Sequence, residues 1–165
     1  MAKLNKIHIF LTFTCLYAVF IFYLSSLSIT PEPPTPGFLY EFARQLEALG
    51  LQFLLYPLYY AYKYPDKFVH MLLYLGFGLL LNLTLSSSKN SRISKYAAPL
   101  AILIGTIYAI TDEIHQYFVP YRTASALDLY ADFLGLLLAQ LLLIFYSGIK
   151  KSRELQHKKS GKIRV

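Results

Sequence analysis

Residues 111–134 read TDEIHQYFVPYRTASALDLYADFL, and they gather most of the groups in this chain that could do chemistry. Asp112, Glu113, Asp128 and Asp132 are carboxylates, His115 is an imidazole and Arg122 is a guanidinium. A second, smaller set stands upstream at Asp66, Lys67, His70 and Tyr74. Carboxylates and imidazoles together have the ligand chemistry of a divalent cation such as Zn²⁺ or Mn²⁺, and His70, Asp112 and Asp132 are the candidate ligands. Without a metal, His70 or His115 could act as a base oriented by Asp112. Arg122 could grip a phosphate or carboxylate with two parallel hydrogen bonds, and Lys67 could add a point charge. No HExxH sequence and no nucleophile elbow occurs, and no serine or cysteine is visibly activated, so the reading leans away from an enzyme.

The segments around these groups are strongly apolar. The chain is 56% hydrophobic and 15% charged, against a soluble norm of about 45–50% apolar residues. Four runs, at about 7–27, 67–86, 97–119 and 126–147, meet the roughly 20 residues that a helix needs to cross a bilayer. An ionisable group within such a helix costs about 2.5–3.5 kcal/mol, which makes the acids and His70 functional candidates by default. Twelve of the sixteen Lys and Arg residues lie at 3–6, 89–95 and 150–164, with Glu154 the lone acid among them. The positive-inside rule therefore puts both termini and the 87–96 loop in the cytoplasm, and residues 28–66 and the 120–125 turn outside. The same distribution argues against nucleic-acid binding. Cys15 is the single cysteine, so neither a disulfide framework nor a cysteine metal site is available.

The first run also resembles a signal peptide, with Ser26-Leu27-Ser28 as a poor cleavage site, but its apolar stretch is long and a retained anchor is favoured. Beyond it, Pro31, Pro33, Pro34 and Pro36 predict a stiff exit. Residues 38–55 pattern as an amphipathic helix that Gly50 ends or interrupts, lying on the bilayer or covering the bundle. Tyr56, Tyr59, Tyr60, Tyr62 and Tyr64 suit the headgroup layer.

Within the spans, polar and small residues fall on ridges. Asp66, His70, Tyr74, Gly78 and Asn82 recur every four residues. Ala97, Ala101, Gly105 and Ala109 form a small-residue ridge that continues to Asp112 and Gln116. Asp128, Asp132, Gly135 and Ala139 follow the same spacing. If these faces meet, Asp66, His70, Asp112, Gln116, Asp128 and Asp132 converge on one outward-facing pocket, with Glu113 and His115 on its flanks and Arg122 above. Plainer roles exist for several of them. Asp66 after Pro65 is a natural N-cap, Ser125 with Asp128 matches a capping box, and His70 could be a satisfied bundle histidine. Asp132 lies a full turn inside its helix, and Asp112 and Glu113 sit near a helix C-terminus that disfavours acids, so capping explains none of these three.

Asp66-Lys67-x-x-His70-x-x-x-Tyr74, then Asp112-Glu113-Ile114-His115-Gln116-Tyr117-Phe118-Val119-Pro120-x-Arg122, then Asp128-x-x-x-Asp132-x-x-Gly135 together resemble the VanZ-like family over about residues 60–145. The resemblance implies a bacterial integral membrane protein, of a family named for an accessory factor in resistance to the glycopeptide teicoplanin. It supplies no reaction. That family commonly has Gly where this chain has Tyr121, which predicts a different turn, and Asn where it has Asp132, which adds an anion to the pocket.

The expectation is an all-α, four-span membrane bundle with an outer amphipathic helix. It is one domain over 1–147, with a basic cytoplasmic tail at 148–165, in the bacterial cytoplasmic membrane. The polar cluster would bind an envelope ligand, such as a lipid-linked cell-wall precursor, or a membrane protein, or contribute to glycopeptide resistance. The alternatives are a membrane-embedded, metal-dependent hydrolase or transferase acting on a lipid-linked substrate, an ion-linked transporter, and a purely structural network.

Overall fold

The computed structural model describes residues 6–28, 45–51 and 64–162. Among these residues five helices follow in chain order: α1 (Lys6–Ser25), α2 (Pro65–Ser86), α3 (Ser91–Lys95), α4 (Ala97–Tyr117) and α5 (Ala126–Lys162). α1, α2, α4 and the Ala126–Glu154 part of α5 are each long and apolar enough to cross a membrane. Among the described residues there is no strand, and the all-α bundle is the architecture expected. The 31–36 proline run, the tyrosines at 56–62 and most of the 38–55 segment lie outside the described residues. Within 45–51, a short helical turn ends at Gly50, whose φ of 71° lets Leu51 N–H donate back to Leu46 O at 2.9 Å.

α2 is the hub, touching each of the other four helices, and its interface with α5 is the most extensive. The small-residue ridges explain why. Gly78 of α2 packs against Ala139 and Leu136 of α5, while Gly105 of α4 receives the Leu136 side chain. In lipid, where apolar burial does not drive helices together, such close van der Waals contact and interhelical hydrogen bonds hold a bundle. Asn82 Nδ2 donates to Gln140 Oε1 at 2.6 Å, and Gln140 Nε2 donates to Gly78 O at 3.2 Å. Asn82, although on the α2 ridge, thus belongs to a separate mid-bundle contact. α1 is tied in by a Thr14–Thr84 hydroxyl pair at 2.8 Å and by Tyr108 Oη donating to Ala18 O at 2.6 Å. The core is Ile21, Tyr74, Phe77, Leu81, Ala101, Ala109 and Leu136.

Helix ends differ from the sequence reading in two places. α2 begins at Pro65 with Tyr64 at the N-cap, so Asp66 is a first-turn residue and not the cap itself. α5 continues without a break beyond residue 147 into the basic segment, since neither proline nor a capping glycine stops it. At about 1.5 Å per residue it is far longer than a roughly 30 Å hydrocarbon core, and its C-terminal part must project from it.

Candidate functional site

The cluster lies at the end of the bundle where α1 and α4 finish and α2 and α5 begin. Two compartments meet there. The first is a cavity of about 230 Å³, lined by the apolar Ile21, Leu24, Val69 and Leu73 and by polar groups including His70, Tyr74, Asp112 and Gln116. Asp66 and Arg122 also line it. Asp112 and Gln116 are a turn apart on α4, and Gln116 Nε2 donates to Asp112 Oδ2 at 3.3 Å. Tyr74 is almost wholly buried, and its hydroxyl has no hydrogen-bond partner among the described residues.

The second compartment is the seam between α2, α4 and α5. Asp132 is 0% exposed, and its Oδ1 is hydrogen-bonded to His70 Nδ1 at 3.0 Å. Lys67 Nζ bridges two acids, Asp66 Oδ2 at 2.7 Å and Asp128 Oδ1 at 2.6 Å. Glu113 is 7% exposed and its Oε2 accepts the Ser125 backbone N–H at 2.7 Å. One ligand atom each from His70, Glu113 and Asp128 lies within 4.8 Å of the others. His70 reaches both compartments, and so does Asp66.

Several expectations about individual residues change. Glu113 does not sit on a flank. α4 packs against both α2 and α5, so adjacent positions 112 and 113 are both covered. The capping box at Ser125 is served from another helix, because Glu113 takes the N–H that Asp128 would have accepted while Asp128 pairs with Lys67. Arg122 is engaged with the end of α1, its Nε donating to Leu27 O at 2.9 Å and an Nη to Leu24 O at 3.3 Å. It thereby adds donors at a helix C-terminus where, among the described residues, the Leu24 carbonyl otherwise has only the Leu27 N–H at 3.2 Å. His115 stays on a flank. Its ring stacks on Phe22 with centroids 4.3 Å apart, and its Nε2 is bonded to Ser26 Oγ at 3.0 Å.

Tyr121 adopts φ 65°, the left-handed conformation that glycine accepts most readily. The tyrosine thus holds a backbone conformation that a glycine would take more readily. Sequence reasoning also missed α1 as a wall of the site. Ser25 is buried beside Asp112, though neither Ser25 Oγ nor Asp112 Oδ1 closes a hydrogen bond among the described residues. The adjacent serines at the end of an otherwise apolar helix were the one available signal.

A membrane protein whose bundle has four helices long and apolar enough to cross the bilayer, with ionisable and polar side chains gathered at one end, is the class that this fold and site define. Within that class, the chain belongs to the VanZ/LLP1 family, whose model matches residues 9–147. The match begins inside α1 and so reaches well beyond the 60–145 stretch that carries the motifs. No curated protein and no solved structure matches the chain.

Proposed function

We propose that this is an envelope-ligand-binding protein of the bacterial cytoplasmic membrane, with both termini and the α2–α4 connection cytoplasmic and the cluster facing outward. The observation that carries this reading is the cavity itself, lined by apolar side chains together with several polar ones. That combination suits an amphiphile, whose acyl part would lie along Leu24, Val69 and Leu73 while hydroxyl or amine donors meet Asp112, Gln116 and His70. Retention of α1 fits this proposal, since Ile21, Leu24, Ser25 and Leu27 are part of the wall.

Size narrows the ligand. Drug-sized molecules occupy pockets of about 300–1,000 Å³, and this cavity is smaller. It suits a headgroup or a chain segment of a lipid-linked precursor, and a whole glycopeptide could not enter. A contribution to glycopeptide resistance would then run through the envelope molecule that is bound and not through enclosure of the drug. Arg122 is a weaker phosphate grip than its charge suggests, because two of its donors already serve α1. A second reading, a membrane-embedded hydrolase or transferase, is favoured by one observation: His70 is held by a carboxylate in the manner of an oriented base.

The test is titration of a lipid-linked wall precursor into the protein reconstituted in nanodiscs, against phospholipid alone. Saturable binding that Val69→Trp blocks by filling the cavity, and that Asp112→Asn weakens, supports the proposal. Binding equal to phospholipid, or untouched by both changes, removes it. Cysteine accessibility at residues 88 and 121 from the two sides tests the orientation.

A further inference from the structure

Behind His70, on the side away from the cavity, the seam between α2, α4 and α5 has a charge imbalance. Asp66, Asp112, Glu113, Asp128 and Asp132 are five carboxylates at this end of the bundle. Among the described residues, the cations paired with any of them are Lys67 and, when protonated, His70, while Arg122 is turned to the α1 carbonyls. Buried carboxylates normally have partners for all their oxygens, and these do not. Glu113 Oε1 and Asp132 Oδ2 are buried without a hydrogen-bond partner among the described residues, in side chains that are 7% and 0% exposed.

We propose that His70, Glu113 and Asp128 bind a divalent transition-metal cation, with Asp132 as the positioning residue for His70. The three residues each bring one ligand atom within 4.8 Å of the others. Ligands on a bound ion of this type, at about 2.0–2.2 Å from it, stand roughly 3–4 Å apart, so the cluster needs only to contract slightly. One imidazole with two carboxylates is a donor set for Mn²⁺ or Zn²⁺, whereas Mg²⁺ and Ca²⁺ prefer oxygen alone. The His70–Asp132 bond adds the arrangement that a metal-ligating histidine normally shows. With Nδ1–H given to a carboxylate, the ring is fixed and Nε2 keeps its lone pair. Lys67 holds Asp128 Oδ1 and leaves that carboxylate its second oxygen. The cation site goes beyond the ligand-binding proposal and stands without it, because it is measured with no lipid precursor present.

The experiment uses the full chain, purified in detergent, stripped with a chelator and titrated with Mn²⁺ or Zn²⁺. Metal content comes from elemental analysis and affinity from calorimetry. One equivalent per chain is expected, accompanied by a metal-dependent rise in Tm. Glu113→Gln and His70→Gln should weaken binding by more than about 100-fold, and Asp132→Asn by about 10–100-fold. Glu154→Gln, an exposed carboxylate far along α5 from the cluster, should leave affinity unchanged. For wild-type protein loaded with Mn²⁺, nitrogen hyperfine coupling should mark the imidazole ligand, a readout that needs no variant to fold. Absence of stoichiometric metal, absence of that coupling, or wild-type affinity in Glu113→Gln would overturn the site and leave Lys67 as the counter-cation of the seam.

Discussion

Gly135 of α5 lies directly on the backbone of Met71 of α2, so close that a β-carbon there would overlap the Met71 carbonyl oxygen and crowd Leu75 N. This approach of two backbones is what allows His70, next to Met71, to reach Asp132, three residues before Gly135. The same step of three that makes a packing ridge thus also sets a hydrogen bond.

Gly135→Ala is accordingly expected to be among the most damaging single-atom additions in the chain. Overpacking costs about 1–3 kcal/mol, and backbone cannot move aside as a side chain can. A fall in Tm and in yield of monodisperse protein should follow. Gly148→Ala is the control, since nothing lies within 4 Å of a β-carbon there and the change removes a helical glycine. It should raise stability slightly, by up to about 1 kcal/mol.

Glu113 has a structural duty at the start of α5 in addition to its place among the candidate ligands. Glu113→Ala leaves the Ser125 N–H without its acceptor, and loss of a helix cap costs about 0.5–2 kcal/mol. Glu113→Gln keeps a carbonyl oxygen in reach, so its Tm should lie near that of wild type. Hydrogen exchange at residues 125–129 separates the two variants: faster in the alanine protein, little changed in the glutamine one.

Arg122 joins the turn before α5 to the end of α1. Arg122→Ala should accelerate hydrogen exchange at residues 24–28, where the Leu27 carbonyl loses the guanidinium and the Leu24 carbonyl is left with the Leu27 N–H alone. Arg122→Lys should not restore protection fully, because an ammonium lacks the planar fork that reaches two carbonyls at once. Unchanged exchange in both variants would show that α1 is held by its other contacts alone.

Tyr121 holds a positive φ while 87% exposed, so its side chain offers little packing in return. An L-residue in this region carries a penalty of roughly 1–2 kcal/mol, part of which the greater chain entropy of glycine takes back. Tyr121→Gly should raise Tm modestly, while Tyr121→Val, β-branched at the same φ, should lower it.

In the middle of the bundle, Gln140→Leu removes the acceptor of Asn82 Nδ2, while Asn82 Oδ1 keeps its bond from Ser86. Interhelical hydrogen bonds in membranes contribute about 0.6 kcal/mol on average, up to about 1.7. A loss within that range, reduced when Asn82→Leu is combined with it, is the expected double-mutant result.

Much of this architecture was legible before any coordinates. Runs of apolar residues longer than a bilayer needs admit few structures other than spanning helices, because backbone groups in lipid must be satisfied within the helix. The ridges could be read too. Ala97, Ala101, Gly105 and Ala109 recur at helical spacing and are all buried, as are Asp128, Asp132, Gly135 and Ala139. The width of a buried face could not be read. Positions 112 and 113 differ by about 100° around a helix, and which of them is covered depends on how many neighbours that helix has.

Local spacing, then, determined the four spans, the faces on which small and polar residues fall, and the end of the bundle where the acids gather. Partnership was decided only in three dimensions: Glu113 with Ser125, Lys67 with Asp128, Arg122 with the end of α1, and His70 with Asp132. A helical repeat states the direction in which a side chain leaves its own axis. Which atom it meets depends on the depth and rotation at which separate helices dock, and these follow from contacts between residues far apart in the chain.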